Sequence, residues 1–267
     1  MARASLQVPV RLGTALALAL ALSGAGCLKR GPETTGSLGA VQAGAPAEGW
    51  RREAQVWGAR FDANPADTGA AMAYARALRA MGQRAQAVAV LQQAVIRNPK
   101  ALELLAAYGK ALSEAGRLKE AAEVLGRAHL PERPDWRILS AQGAVADQLG
   151  EHGEAQRYYQ AALRLQPNEP SVLSNLGLSY ALAKRLPEAE RSLKQAAAQA
   201  GADVRVRQNL ALVLGLQGKF SEAEEVMRRD MAPAQATANV EALKGLMRQP
   251  NSWNALRRAD KGRQPNG

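Results

Sequence analysis

Residues 155–189 read AQRYYQAALRLQPNEPSVLSNLGLSYALAKRLPEA, running from Ala155 through Tyr159, Ala162, Pro167, Leu173, Leu176, Gly177 and Tyr180 to Ala189. Ala155 and Ala189 stand 34 residues apart, and the same step leads outward to Ala121 and Ala87 on one side and to Ala223 on the other. Their neighbours repeat in register. Counting from residues 68, 102, 136, 170 and 204, the eleventh position holds Leu78, Leu112, Ala146, Tyr180 and Leu214, and the twenty-fourth holds Leu91, Leu125, Tyr159, Leu193 and Met227. The fifteenth is Gly82, Gly116, Gly150 and Gly218 in four copies and Lys184 in the other. A reversal between antiparallel helices wants a left-handed residue, which glycine supplies at little steric cost. Alanine at the twentieth position and again at the twenty-seventh (Ala94, Ala128, Ala162, Ala196) lets helices approach closely. Self-similarity at this period denotes stacked helical hairpins, each burying its apolar face on the next.

The pattern resembles the tetratricopeptide repeat (TPR) family, most fully in the copy carrying Leu173, Leu176, Gly177, Tyr180 and Ala189. The resemblance implies an all-α fold, a right-handed α-solenoid of helical hairpins that binds proteins. Five repeats are expected at 68–101, 102–135, 136–169, 170–203 and 204–237. Gly201 and Gln235 stand where the family closes a repeat with proline, and Asp230 replaces the last small residue.

The array extends past both limits. Asn64-Pro65 lies one period before Asn98-Pro99, so residues 48–67, with Trp50, Trp57 and Phe61 on a helical spacing, read as the second helix of a partial repeat. Val240, Leu243, Leu246 and Met247 fall on one face of an expected capping helix over 238–250, ended by Pro250. Residues 251–267 are polar and basic and read as a disordered tail. With 47% hydrophobic but only 4% aromatic residues, the composition favours helices over strands.

The N-terminus has another purpose. Arg3 and Arg11, an apolar run over residues 12–22 and the small residues Ser23, Gly24, Ala25 and Gly26 form an export signal over 1–26. Cys27, the single cysteine, follows it and resembles the lipidated cysteine of bacterial lipoproteins. Gly24 occupies the place where that family has leucine, so cleavage after Ala25 to a soluble periplasmic protein stays open. Lipidation without an aspartate at Leu28 implies an outer-membrane lipoprotein facing the periplasm. Residues 27–47, rich in glycine and small polar residues, then form a flexible tether spanning roughly 25 Å.

The net charge is +11. An exported protein without aromatic stacking platforms is a poor nucleic-acid binder. The positive charge is either a solvated surface or a match for an acidic partner or anionic envelope surface, with Arg257, Arg258, Lys261 and Arg263 in the tail as candidates. His129 and His152 have no metal-ligand spacing, and no phosphate loop is present. No catalytic residue, cofactor, metal or small-molecule substrate is therefore expected.

Function is expected on the concave face, which the first helix of each hairpin lines in TPR arrays. By resemblance, its second, fifth, sixth, ninth, twelfth and thirteenth positions face a ligand. At the N-terminal end these give a basic groove of Arg76, Arg79 and Lys110. At the C-terminal end they give a peptide-binding groove: Leu178, Leu182, Leu212 and Leu216, with Ser174, Asn175, Arg205, Gln208 and Asn209 beside them. Leucines with adjacent amides suit an amphipathic helix or extended peptide. The alternative is that they pack under the capping helix or within the superhelix.

Several segments carry a narrower likeness. Residues 135–143 (DWRILSAQG), 169–182 (EPSVLSNLGLSYAL) and 206–212 (VRQNLAL), with 238–240 (ANV) and 250–253 (PNSW), resemble the TadD family of TPR lipoproteins from the Tad (tight adherence) pilus machinery. That resemblance implies a pilot or assembly factor for the outer-membrane secretin, with the secretin or other Tad components as partners. A general envelope scaffold or chaperone-like lipoprotein for outer-membrane or peptidoglycan machinery is the other reading.

Overall fold

A computed structural model describes residues 45–130 and 132–248. The expected signal, Cys27, the tether as far as residue 44 and the basic tail lie outside these residues. The described residues form helices α1 (Ala45–Ala63), α2 (Thr68–Ala80), α3 (Arg84–Arg97), α4 (Leu102–Glu114), α5 (Leu118–Gly126) and α6 (Trp136–Gln148). They continue with α7 (His152–Leu165), α8 (Pro170–Leu182), α9 (Leu186–Ala197), α10 (Val204–Leu216), α11 (Phe220–Met227) and α12 (Pro233–Arg248). The all-helical hairpin fold expected from the repeat is present.

Three local devices recur at the 34-residue step. The residue before α2, α6, α8 and α10 is Asp67, Asp135, Glu169 or Asp203, and each side chain accepts a backbone N–H of the first turn. These caps satisfy orphan donors and place negative charge at the positive end of the helix dipole. Gly82, Gly116, Gly150 and Gly218 turn each hairpin at φ between 76° and 84°. Lys184 adopts the same left-handed conformation at φ 63°, where its Cβ is disfavoured.

The third device is close helix approach inside the hairpin. A Cβ built on Gly109 would stand 2.6 Å from Leu125 Cγ, one on Gly143 would stand 2.7 Å from Tyr159 Cε1, and one on Gly177 would stand 2.6 Å from Leu193 Cγ. In these three repeats the eighth position is bare and the twenty-fourth lies across it, whereas buried alanines, Ala75 and Ala211, stand there in the first and fifth. Ala87, Ala121, Ala155, Ala189 and Ala223 are all fully buried.

Each first helix touches the next one, α2 on α4, α4 on α6, α6 on α8 and α8 on α10, whereas no such contact joins the second helices among the described residues. The first helices therefore line the inside of the curve. At the start, α1 packs on α2 as a second helix would, with Phe61 buried. At the end, α12 packs on both α10 and α11, the place of another first helix, burying Val240 and Leu243.

Two boundaries differ from the sequence expectation. The N-terminal helix begins at Ala45, inside the expected tether. The capping helix begins at Pro233, not at residue 238, because α11 stops at Met227 and proline is well suited to the first helical turn, where its missing N–H has no partner to lose.

Candidate partner-binding surfaces

On the inner face of α8 and α10, Leu178 and Leu212 occupy one repeat position and Leu182 and Leu216 another. None of the four belongs to a buried core cluster. Leu182 is 57% exposed, and the other three are half-buried. Leu243 of the capping helix sits over Gly215. Asn175 and Gln208 make no side-chain hydrogen bond among the described residues, and Arg205 is solvated beside Asp203 at 3.8 Å.

Ser174 is different. It is 5% exposed, and its hydroxyl accepts a 3.0 Å hydrogen bond from Asn209 Nδ2. The fifth position of α8 faces α10, so the two side chains join neighbouring helices. Ser174 is thereby withdrawn from the face a ligand would meet, and the Asn209 amide is partly engaged.

At the other end, Arg76, Arg79 and Lys110 come together along a cleft of about 870 Å³ between α2, α4 and the start of α6. Arg79 forms a two-pronged ion pair with Glu114, its Nε donating at 2.7 Å. Arg76 reaches Glu53 at 3.4 Å. Lys110 makes no ion pair among the described residues; burial first, and then the like charge of Arg79, push its ammonium below the usual lysine value. His129, Arg133 and Arg137 also line this cleft. The sequence reading did not group them with the basic groove, because two lie in the irregular connection after α5, where no repeat position predicts direction.

One polar cluster has the composition of a hydrolytic triad. Ser179 Oγ donates to Asp147 Oδ1 at 2.8 Å, His152 Nδ1 lies 2.9 Å from the same oxygen, and Tyr159 donates to Asp147 Oδ2 at 3.1 Å. Serine and imidazole thus converge on one carboxylate instead of forming a relay, and Ser179 is fully buried. Burial and the Asp147 charge push the Tyr159 phenol up. The cluster ties α6, α7 and α8 together.

Tetratricopeptide-repeat families match residues 78–143, 140–204 and 204–229. The chain belongs to the tetratricopeptide repeat family. No curated relative matches its sequence. Among solved structures it is similar to PilW, described as a widely conserved type IV pilus biogenesis factor, with TM-score 0.58, 17% identity, and 79% of this chain and 93% of that one covered. It is also similar to TTC0263, a thermophilic TPR protein of Thermus thermophilus, with TM-score 0.55, 25% identity, and coverage of 64% and 94%. A third similar structure is a TPR protein from Parabacteroides merdae, at TM-score 0.51, 21% identity, and coverage of 67% and 73%. TPR arrays are protein-binding scaffolds.

Proposed function

We propose that this TPR protein acts without catalysis in Tad pilus biogenesis, as a pilot or assembly factor for the outer-membrane secretin. Cys27 supplies the lipid anchor, and residues 28–44 reach from the membrane to the array. A secretin segment, or one from another Tad component, lies along α8 and α10. It buries apolar side chains on Leu178, Leu182, Leu212 and Leu216 while Asn175, Gln208 and Asn209 bond its backbone.

The observation that carries this reading is the likeness of residues 169–182 and 206–212 to the TadD family at positions the repeat itself does not dictate. The leucines outside the core support it, because apolar side chains left partly exposed on one face are available for a partner. PilW shows that the fold serves a pilus biogenesis factor elsewhere. At 17% identity that likeness concerns the fold alone.

The test is a crosslinking pull-down of the protein from cell membranes with mass spectrometry of the captured chains, alongside Cys27→Ser. Recovery of a secretin with its pilus neighbours, together with loss of membrane retention in the variant, supports the proposal. Recovery of peptidoglycan enzymes or outer-membrane assembly factors in their place moves the protein to the general envelope scaffold class.

A further inference from the structure

The cleft between α2, α4 and α6 is built unlike the rest of the inner face. α5 ends at Gly126 after only 9 residues, and the chain reaches α6 through a short antiparallel bridge in which Arg133 N donates to Leu130 O at 3.0 Å. This detour brings His129, Leu130 and Arg133 into the cleft lining. Five cations line the cleft against two carboxylates, Glu103 and Asp135, and Asp135 already caps α6 through Arg137 N at 2.7 Å.

The cations are not equivalent. Arg79 and Arg76 are answered by Glu114 and Glu53, whereas Lys110 and Arg133 have no ion-pair partner among the described residues. Lys110 is also half-buried, so its charge carries a desolvation cost that an incoming carboxylate would offset. His129 has a buried Nδ1 with no hydrogen-bond partner. Between these groups the wall is apolar, with Met72, Leu102, Ala106 and Leu130. The undescribed stretches of this chain do not fit: residues 28–44 hold Lys29 and Arg30 against Glu33, and the tail holds Arg257, Arg258, Lys261 and Arg263 against Asp260. Charge complementarity therefore points to another protein.

We propose that this cleft docks an extended segment of a partner protein in which aspartate or glutamate side chains flank an apolar one. The carboxylates pair with Lys110 and Arg133, and the apolar side chain rests on Leu102 and Ala106. A site recessed between helices suits a peptide better than a flat membrane surface, and pairing with charged groups there sets register and specificity. The inference concerns the opposite end of the array from the leucine face and does not depend on the pilus assignment.

The experiment is fluorescence anisotropy on the purified full chain with a labelled peptide of alternating aspartate and leucine, its lysine–leucine counterpart, and phosphatidylglycerol vesicles. The acidic peptide should bind and weaken with added salt. Lys110→Gln and Arg133→Gln should each weaken it by roughly tenfold, while Lys110→Arg retains most of the affinity. Unchanged helical ellipticity in each variant separates loss of the site from loss of the fold, and Arg133→Gln, lying in a loop, guards against failure of Lys110→Gln to fold. No binding of the acidic peptide, wild-type affinity in both glutamine variants, equal binding of the lysine peptide, or binding of vesicles alone would each overturn the proposal.

Discussion

Arg207 on α10 holds Asp230, in the turn after α11, through two hydrogen bonds, Nε to Oδ2 at 2.7 Å and Nη2 to Oδ1 at 2.6 Å. Asp230 stands where the other repeats carry a small residue, and this pair accounts for the departure: the carboxylate is drawn to the preceding helix, and α11 ends at Met227. Arg207→Met should lower stability at neutral pH, read from urea denaturation, because it leaves the Asp230 carboxylate without its partner. Arg207 holds the Asp230 carboxyl below its usual range, so its contribution is present above that range and is lost as pH falls through the depressed value. Wild type and variant should converge in acid; a gap that persists there would show that packing, not charge, is responsible.

Glu190 is a second acid-sensitive tie. Its carboxylate meets Lys194 at 2.7 Å, Lys219 at 2.6 Å and the Gln217 amide at 2.9 Å, joining α9 to the turn between α10 and α11. Burial opposes ionisation, but these partners outweigh it and hold the carboxyl at about 2. The stabilisation is therefore complete above the ordinary glutamate range and fades as pH falls toward 2. Glu190→Gln should lower the melting temperature at pH 7 and flatten the acid limb of the stability curve. An unchanged acid limb would place the sensitivity elsewhere.

Gly177→Ala tests the helix approach inside the fourth hairpin. The new Cβ would stand 2.6 Å from Leu193 Cγ and 3.2 Å from Ala189 O, and the second of these is backbone that does not move aside cheaply. Destabilisation of about 1–3 kcal/mol is expected from urea denaturation. A neutral result would mean that α8 and α9 separate more readily than the packing implies.

Lys184→Gly should act in the opposite direction. Lys184 is exposed and left-handed at φ 63°, at the turn position where the other four repeats have glycine. Relief of the disfavoured conformation, less the entropy glycine adds to the unfolded chain, should raise stability by about 0.5–1 kcal/mol. A decrease would show that the lysine side chain has a compensating contact.

Leu178→Asp combined with Leu212→Asp addresses the proposed partner face. Neither residue belongs to the buried clusters, so the thermal transition should stay within about 2–4 °C of wild type while secretin capture and piliation fall. Intact capture would remove α8 and α10 from the proposal, and a collapsed transition would show that these leucines are core.

The hairpin stack was legible because each repeat solves the same packing problem with the same residues. Ala155 and Ala189 are buried for one reason, and Gly150 and Gly218 turn the chain in one way. The acidic caps Asp67, Asp135, Glu169 and Asp203 carry the same period and were an unused signal for where helices begin. The surfaces were less legible. Position in the repeat nominated Ser174 as a ligand contact, yet its hydroxyl is bonded to Asn209, 35 residues away. Arg79 likewise is held by Glu114, whereas His129 and Arg133 enter the basic cleft from a connection that follows no period.

Periodicity, helix turns and internal packing follow from local pattern, since side-chain direction on a helix is set by spacing along the chain. Which polar groups remain available to a partner follows from pairings such as Ser174 with Asn209 and Arg207 with Asp230, made between elements whose proximity exists only once the repeats have stacked.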